Sequence, residues 1–363
     1  MNIEQLSDHV ANSPAVKYET KLQPTAGTGT KVYPSSYLGE NKEAGVYAHE
    51  TRMIDGHPIA CVIVDSVPSQ ANRAESALSE LRREGRLSFP AIALETDAGS
   101  VCTLDLPHRA ADAYLEHGKL DGEQFAKSDV FKAIRSATPR NASKLFQVDP
   151  VSLLFGVWFS RGNNAAKGRF SRLLCSELVA INAIEGVKTA SRVDPLRNDT
   201  SGEALEAKEI AASELPYSKD AKKMKVSELG FGSIPPTVTR GGITCDYVQQ
   251  VATLTFSGLR RLSFGDDPTQ NRAGRLVLAA LGLVAIEATS SSGLWLRSGC
   301  DLYATESSKL IVGGDEFELD LDGALGLFNS AVSKAAESGL CFEDSLTLTA
   351  DSPVLEAVLG GGA

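Results

Sequence analysis

The feature that most constrains the fold is a hairpin pattern that leads directly into a helix pattern. Residues 45 to 65, GVYAHETRMIDGHPIACVIVD, contain two apolar stretches joined by Asp55-Gly56, a strong signal for a tight β-hairpin. Residues 69 to 84 then repeat small and apolar side chains at helical spacing. A hairpin that feeds a single helix favours an α+β fold with a mainly antiparallel sheet over a doubly wound parallel one.

The other apolar patterns repeat this mixture of strands and single helices. They predict strands over residues 16–22, 89–96, 100–107, 151–160, 176–187 and 293–304, a strand with a short helix over 247–264, and helices over 270–287 and 321–339, with helical character from 108 to 137. The order of strand, helix and hairpin is that of the split βαβ, or ferredoxin-like, unit. From 194 to 243 the apolar period disappears, and so long a stretch in a compact domain is usually functional or mobile.

Cysteine and histidine spacing argues against the usual metal sites. The six cysteines lie far apart without a CxxC pair, and the five histidines form no HxxxH pair, so we expect neither a zinc site nor a disulfide framework. The first ten residues carry acids where a signal peptide needs bases. The longest apolar run, residues 276–286, is far shorter than a membrane span. We therefore expect a cytoplasmic protein that has no cofactor, no metal and no membrane contact.

The net charge of −10 is confined to one end of the chain. Residues 301–363 hold twelve acids and two lysines, which alone gives −10, so the first 300 residues are neutral with 34 of each sign. A low isoelectric point normally argues against nucleic-acid binding, but here it describes only the C-terminal segment. Within the neutral part, residues 158–176 carry four bases and no acid.

A short polar motif occurs twice, each time at the start of a predicted helix. SQANRAE (69–75, junction 1) is echoed by TQNRAGR (269–275, junction 2). One interpretation is simple capping, with Ser69 or Thr269 as the N-cap residue. Capping does not explain the arginine of each motif, because a cation at a helix N-terminus opposes the helix dipole. An arginine beside free N–H groups is instead suited to binding a phosphate.

A third basic motif follows the predicted strand at 151–160. The segment FSRGNNAAKGRFSRL (159–173) surrounds two glycines with Arg161, Lys167, Arg169 and Arg172, and ASRVDPLRN (190–198) places Arg192 at another strand end. A solvated basic loop is the simpler interpretation of such a charge run. The recurrence of the same chemistry at strand ends and helix starts makes one continuous groove for an anionic chain the alternative.

The tetrapeptide FGDD (264–267) introduces a catalytic alternative. It is similar to the carboxylate pair with which polymerase palm domains hold metal ions. Pro268 and a predicted helix follow here in place of a return strand, so Asp266 and Asp267 are more simply loop and helix-entry residues. We expect no catalytic residues.

Five segments in order resemble one known family. KYETKLQPTAGTGTKVYP, VDSVPSQANRAESAL, SRVDPL, LGFGSIPPTVTRGGIT and TQNRAGRLVLAALG resemble the RAMP-type backbone subunit of type I-G (formerly I-U) CRISPR Cascade complexes. The resemblance implies an α+β fold with a modified RNA-recognition (ferredoxin-like) core, a mainly antiparallel sheet and large insertions. It implies three parts: residues 1–193 with a helical insertion at 108–150, a thumb-like segment at 194–246, and residues 247–363 with the acidic end.

The resemblance also implies a function without catalysis. Copies of the subunit would stack head to tail along a CRISPR guide RNA and present it for pairing with target DNA, beside Cascade subunits of the Cas-five and Cas-six types and a large subunit. The residues that would contact the guide are Gln70, Asn72, Arg73, Arg161, Lys167, Arg169, Arg172, Arg192, Arg240, Gln270, Asn271, Arg272 and Arg275. No aromatic motif for stacking bases stands out, so backbone-led binding is expected. The rival hypotheses are a metal-dependent enzyme that uses Asp266 and Asp267, and a protein-binding scaffold.

Overall fold

Helices and antiparallel strands alternate along most of the chain. The computed structural model describes residues 1–39, 45–161, 168–196, 209–210, 224–225, 233–290 and 293–359. Within them the helices are α1 (Ile3–Asn12), α2 (Val67–Arg83), α3 (Ala113–His117), α4 (Asp129–Arg135), α5 (Ser143–Val148), α6 (Pro150–Phe155), α7 (Phe256–Leu259), α8 (Pro268–Ser290), α9 (Leu321–Glu337) and α10 (Pro353–Leu359), with 3-10 turns at Arg109–Ala111 and Phe125–Lys127.

The strands of the described residues fall into one large sheet and several small ones. They are β1 (Ala15–Pro24), β2 (Ser36–Tyr37), β3 (Val46–Tyr47), β4 (His49–Ile54), β5 (His57–Asp65), β6 (Ile92–Thr96), β7 (Gly99–Cys102), β8 (Lys119–Leu120), β9 (Glu123–Gln124), β10 (Val157–Trp158), β11 (Arg169–Phe170), β12 (Leu174–Ile181), β13 (Ile184–Arg192), β14 (Glu209–Ile210), β15 (Met224–Lys225), β16 (Ile234–Thr244), β17 (Tyr247–Thr255), β18 (Leu294–Arg297), β19 (Cys300–Ala304), β20 (Lys309–Val312), β21 (Asp315–Phe317) and β22 (Leu346–Thr349).

The main sheet has nine strands, and all of its pairings are antiparallel. Its order is β18–β19–β1–β17–β12–β5–β4, with β20 also beside β1 and β21 beside β20. The neighbours β20, β1, β17 and β12 form its centre. In the chain, α2 lies between β1 and β12, and α8 lies between β17 and β20. The expectation of an α+β fold with a mainly antiparallel sheet is confirmed.

One face of the main sheet is covered by helices. The strands β1 and β17 alternate strictly between buried and partly exposed residues, as expected where only one face packs on a core. Their buried side chains, such as Tyr18 and Leu254, join a core that contains α2, α8 and α9. The helix α8 is apolar and long enough to cross a membrane by length and composition, but 78% of its apolar window is buried inside the fold.

A second sheet brings distant segments together. Its order is β7–β6–β22–β8–β9, and the pairing of β22 with β6 is parallel. The four strands between residues 92 and 124 therefore share one sheet with β22, the last strand of the described chain.

The predicted hairpin at Asp55-Gly56 is confirmed. Asp55 and Gly56 both have positive φ angles, 50° and 80°, as the tight turn between β4 and β5 requires. The predicted helices at 69–84, 270–287 and 321–339 correspond to α2, α8 and α9.

Four strand predictions were wrong in part. Residues 100–107 contribute only to the short strand β7, which ends at Cys102 and is followed by turns. Residues 151–160 form the helix α6 and only a two-residue strand, because a continuous apolar run also fits a buried helix and Pro150 suits its first turn. Residues 176–187 divide into β12 and β13 at Asn182, whose φ is 55°. Residues 293–304 form the hairpin β18–β19, with Gly299 at a φ of 75° in its turn.

Candidate nucleic-acid interface

Junction 1 folds its polar side chains inward around a buried carboxylate. Asp65 ends β5 and is fully buried. It accepts hydrogen bonds from Ser69 Oγ at 2.8 Å and Gln70 Nε2 at 2.7 Å, and it pairs with Arg73 Nε at 2.9 Å. Gln70 is 1% exposed and its Oε1 accepts from Ser176 at 3.0 Å. The carboxylate at the start of α2 explains how an arginine is tolerated near a helix N-terminus.

The surface above junction 1 is a shallow groove. Arg73 also donates to the carbonyl oxygen of Leu296 at 3.1 Å, which ties α2 to β18. The groove is lined by Asn72 and Arg73 from α2 and by Trp295 from β18. Asn72 is exposed and Trp295 is 70% exposed. Arg73 is thus committed to Asp65, which Arg297 also approaches at 3.5 Å.

Junction 2 has the same residue types in different contacts. Asn271 accepts from the backbone N–H of Phe264 and donates to the carbonyl of Gly265 at 3.0 Å, so it fixes the loop before α8. Gln270 donates to the carbonyl of Ser338 at 2.8 Å, and Arg275 donates twice to Leu262, at 2.7 and 2.9 Å. Arg272 is exposed. Of the four predicted contact residues in this junction, Arg272 alone is therefore exposed.

The capping interpretation of both junctions was wrong. Ser66 precedes α2, and Ser69 lies inside the helix, where it bonds to Asp65. At α8, the Oδ1 of Asp267 accepts from the Thr269 N–H at 2.7 Å. Asp266 and Asp267 are exposed residues at this helix entry, and no group of three or more metal-ligating side chains occurs in the described part of the chain.

A short hairpin after α6 presents an exposed tryptophan beside an arginine. The cross-strand partners Trp158 and Arg169 belong to β10 and β11, and the Arg169 guanidinium lies 5.2 Å from the centre of the indole ring. The chain enters the hairpin at Gly156, whose φ is 85°. A Cβ at this position would lie only 2.9 Å from the backbone nitrogen of Arg172, so glycine is required here. The side chain of Trp158 is 59% exposed.

Two adjoining clefts, here called the arginine clefts, share residues 169–172 as their common wall. One reaches Trp158 and His108 and ends at Cys175, at the start of β12. The other reaches Arg261 and ends at Thr255, the last residue of β17. Both clefts therefore open at the same end of the main sheet.

Three of the arginines that line these clefts lack carboxylate partners among the described residues. Arg169 and Arg261 are exposed and Arg172 is half-buried, and within the described residues none of the three has a carboxylate at ion-pair distance. Burial and the neighbouring Arg109 lower the pKa of Arg172, and burial and Arg260 lower that of nearby Arg275. These crowded cations remain charged. An anion in the clefts would relieve their repulsion.

A buried ion pair supports the floor of the first cleft. Glu75 of α2 pairs with Arg109, and the Nη2–Oε2 distance is 2.8 Å. Arg109 also donates to the carbonyl of Gly156 at 3.1 Å. Burial raises the pKa of Glu75 while Arg109 opposes the rise. The pair positions the turn that carries β10.

The uncovered face of the main sheet carries charges that are already neutralised. Lys17 pairs with Glu19 at 2.6 Å, and Arg52 pairs with Glu177 at 2.7 Å. Lys21 lies over the Tyr247 ring at 5.1 Å.

An exposed ribbon projects from the other end of the same strands. The strands β13 and β16 pair along residues 184–192 and 234–244, and most of their side chains are exposed. Arg192 and Arg240 lie on this ribbon. Much of the predicted thumb, 194–246, falls between these strands and lies largely outside the described residues.

Two predicted contact residues of the basic segment remain, Arg161 and Lys167. Arg161 pairs with Glu116 at 2.9 Å and donates to the carbonyl of Ala111 at 2.7 Å. Lys167 lies outside the described residues. The structure thus brings Arg169 and Arg172 together at the clefts, and it places Arg192 and Arg240 on the ribbon at the other end of the strands.

Two cleft residues were missed by sequence reasoning. Trp158 is one of only two tryptophans and immediately precedes the basic segment, so its position was a usable signal. Arg261, in GLRRLSF, was not distinguishable from a surface arginine. It reaches the cleft because α7 returns the chain beside β11.

Comparisons with known proteins find a family match for the N-terminal half of the chain. Residues 16–185, just under half of the chain, match the family model described as CRISPR-associated protein GSU0053. No curated protein matches. Among solved structures, the chain is similar to the crystal structure of Thermofilum pendens Csc2, with 9% identity, 92% of this chain and 79% of that one covered, and a TM-score of 0.27.

A second similar structure is titled CRISPR RNA-guided surveillance complex, pre-nicking, with 11% identity, 96% of this chain and all of that chain covered, and a TM-score of 0.33. TM-scores this low support no conclusion about this chain. The family match agrees with the resemblance found in the motifs, two of which lie within residues 16–185. Through residues 16–185 the chain is therefore similar to the CRISPR-associated GSU0053 family.

Proposed function

We propose that this protein is the guide-binding backbone subunit of a type I-G Cascade surveillance complex. Its copies stack head to tail along a CRISPR guide RNA and hold it for pairing with target DNA. The observation that carries the proposal is the set of unpaired arginines in the arginine clefts, in a chain whose residues 16–185 match a CRISPR-associated family.

The strand order supports an RNA-recognition type of core. The order β20–β1–β17–β12, with α2 and α8 as the two intervening helices, corresponds to the order and connectivity of a βαββαβ unit. On this interpretation the hairpin β4–β5, residues 91–173 and the ribbon β13–β16 are insertions. We propose the segment 194–246, carried on this ribbon, as the thumb, with Arg192 and Arg240 at its base.

Binding at the arginine clefts is led by the phosphate backbone. Arg169, Arg172 and Arg261 in the clefts, together with Arg272 in junction 2, offer charge-assisted donors that no carboxylate of the described residues takes, and such donors bind phosphate strongly. Contacts to phosphate carry no base information. This suits a subunit whose guides vary, because guide pairing reads the target sequence while protein holds shape and phosphate.

The contribution of junction 1 to guide binding is reduced by its geometry. Gln70 is buried and Arg73 is paired with Asp65, which leaves Asn72 as the exposed polar side chain. We assign Gln70 and Arg73 the role of fixing α2 on the sheet, and we assign Asn271, Gln270 and Arg275 the corresponding role at α8.

The partners follow from the proposed assembly. Head-to-tail stacking is a heterologous contact that generates an open filament. Further copies, Cascade subunits of the Cas-five and Cas-six types and the large subunit would therefore meet its surfaces. We assign no catalysis, since Asp267 caps α8 and neither aspartate has a further metal-ligating neighbour within the described residues.

Co-expression with a guide RNA tests the proposal. We expect a large particle in gel filtration with an ultraviolet absorbance ratio typical of nucleoprotein, which collapses when ribonuclease is added. The Asp266→Asn, Asp267→Asn variant should assemble equally well. A small species free of RNA, despite co-expression of guide and partner subunits, would contradict the proposal, as would an assembly that survives ribonuclease.

A further inference from the structure

Trp158 has a large apolar side chain that the described part of the protein buries only in small part. Its side chain is 59% exposed at the mouth of the first arginine cleft. Tryptophans are highly buried on average. An indole with this much exposed surface is therefore unusual. Among the described residues, the guanidinium of Arg169 is stacked on it.

The surroundings of Trp158 identify the chemistry that would cover it. The cleft beside it is walled by Arg169, Ser171 and Arg172, with His108 opposite. It thus combines cationic donors for phosphate with an open aromatic face. That combination is the one with which proteins bind single-stranded nucleic acid, since every base has a π-face and stacks on an aromatic ring without regard to sequence.

The other tryptophan provides an internal comparison. Trp295 is even more exposed, at 70%, but its groove contains Arg73, which is paired with the buried Asp65. The two indoles thus differ in the arginines beside them: Arg169 at Trp158 has no carboxylate partner among the described residues, whereas Arg73 near Trp295 is paired with Asp65.

We propose that Trp158 is a base-stacking residue, which holds one unpaired base of single-stranded RNA while Arg169 and Arg172 hold the adjacent phosphates. The inference rests on the proposed function and adds to it a contact with a base. The contact does not depend on sequence, so it is compatible with guides that vary. It adds one base contact to the backbone-led binding that the sequence predicts.

Tryptophan fluorescence tests this directly, because the chain has two tryptophans. A Trp295→Phe variant leaves only Trp158, and a Trp158→Phe variant leaves only Trp295. The full chain is titrated with a short oligouridylate. We expect quenching in the Trp295→Phe variant and none in the Trp158→Phe variant.

Affinity measurements separate stacking from charge. We expect Trp158→Ala to weaken oligouridylate binding by about 5- to 150-fold, the range for loss of one base–aromatic stack, without changing the salt dependence. Trp158→Phe should retain most of the affinity, and Trp295→Ala should retain all of it. Arg169→Gln should instead lower the log–log salt slope by about 0.7.

The outcomes distinguish this inference from the proposed function. If the oligouridylate binds with a salt-dependent affinity but Trp158 is not quenched and Trp158→Ala binds normally, the stacking role is wrong and the proposed function stands. If the wild-type chain binds no RNA at any salt concentration, while its thermal unfolding is normal, both are wrong. Because Trp158 is exposed, its substitution should leave the unfolding temperature unchanged.

Discussion

Junctions 1 and 2 share the residues Gln, Asn and Arg at the start of a helix, yet the structure uses them differently. In junction 1, Gln70 and Arg73 converge on Asp65, a fully buried carboxylate at the end of the preceding strand. In junction 2 the loop before α8 ends in Asp267, which is exposed and caps the helix backbone. Asn271 therefore turns to that loop, and Arg272 turns to solvent.

The difference teaches that one upstream residue determines the role of an arginine. A guanidinium beside a buried carboxylate forms part of the fold, because separating the pair would leave an unpaired charge in the interior. The same guanidinium without such a neighbour stays available for an anion. The arginine clefts belong to the second kind, and junction 1 belongs to the first.

The largest expected effect is on stability, at the carboxylate that defines junction 1. Asp65→Ala should lower the free energy of unfolding by about 3–5 kcal/mol, because it leaves Arg73 and Gln70 without their buried partner. Urea unfolding followed by circular dichroism measures the change. Asp267→Ala is the matched control and should lose only about 1 kcal/mol, the typical value of a helix cap. Equal losses would contradict the distinction between the junctions.

The next effect is on RNA binding, at the arginine clefts. The Arg169→Gln, Arg172→Gln double variant should weaken RNA binding by about 3 kcal/mol, because each lost charge-assisted hydrogen bond contributes about 1.5 kcal/mol or more. The log–log salt slope should fall by about 1.4, at about 0.7 per phosphate contact on a single strand. Filter binding over a series of salt concentrations measures both. An Arg52→Gln, Lys17→Gln variant of the paired sheet face is the control, and a larger loss there would move the interface onto that face.

A smaller effect distinguishes the two asparagines. Asn271→Ala removes hydrogen bonds to Phe264 and Gly265 and should destabilise the fold by about 1–2 kcal/mol. Asn72→Ala, whose side chain is exposed, should stay within about 0.5 kcal/mol of the wild type. Thermal and urea unfolding of the pair give the comparison. A destabilisation by Asn72→Ala as large as that of Asn271→Ala would mean that the two motifs are structurally equivalent after all.

The smallest expected effect on RNA binding distinguishes the two junction arginines. Arg272→Ala should weaken RNA binding by about 1 kcal/mol for all sequences and leave unfolding unchanged, since its side chain is exposed. Arg73→Ala should leave RNA binding nearly unchanged but destabilise the fold, because it breaks the pair with Asp65. Paired binding and unfolding curves measure both variants. The reverse pattern would return junction 1 to the interface.

The sequence predicted the individual helices and turns better than the contacts that their side chains make in the fold. Asp55-Gly56 requires a particular turn chemistry, and the hairpin followed from it. The run at 151–160 was misassigned because a buried helix and a buried strand are both continuously apolar over so short a length. At the site, the basic segment 158–176 was visible as charge, whereas the pairing of Arg161 with Glu116 and the burial of Gln70 depend on residues far away in the chain. Those contacts are properties of the tertiary structure, and local pattern carries no information on them.

Photocrosslinking tests the central claim most directly. The protein is assembled on a guide containing photoreactive thiouridine, irradiated and digested, and the peptides that carry RNA adducts are identified by mass spectrometry. The account predicts adducts in the peptides around Trp158, Arg169 and Arg261, which line the arginine clefts. Adducts confined to the groove of Asn72 and Trp295, with none in the clefts, would contradict it.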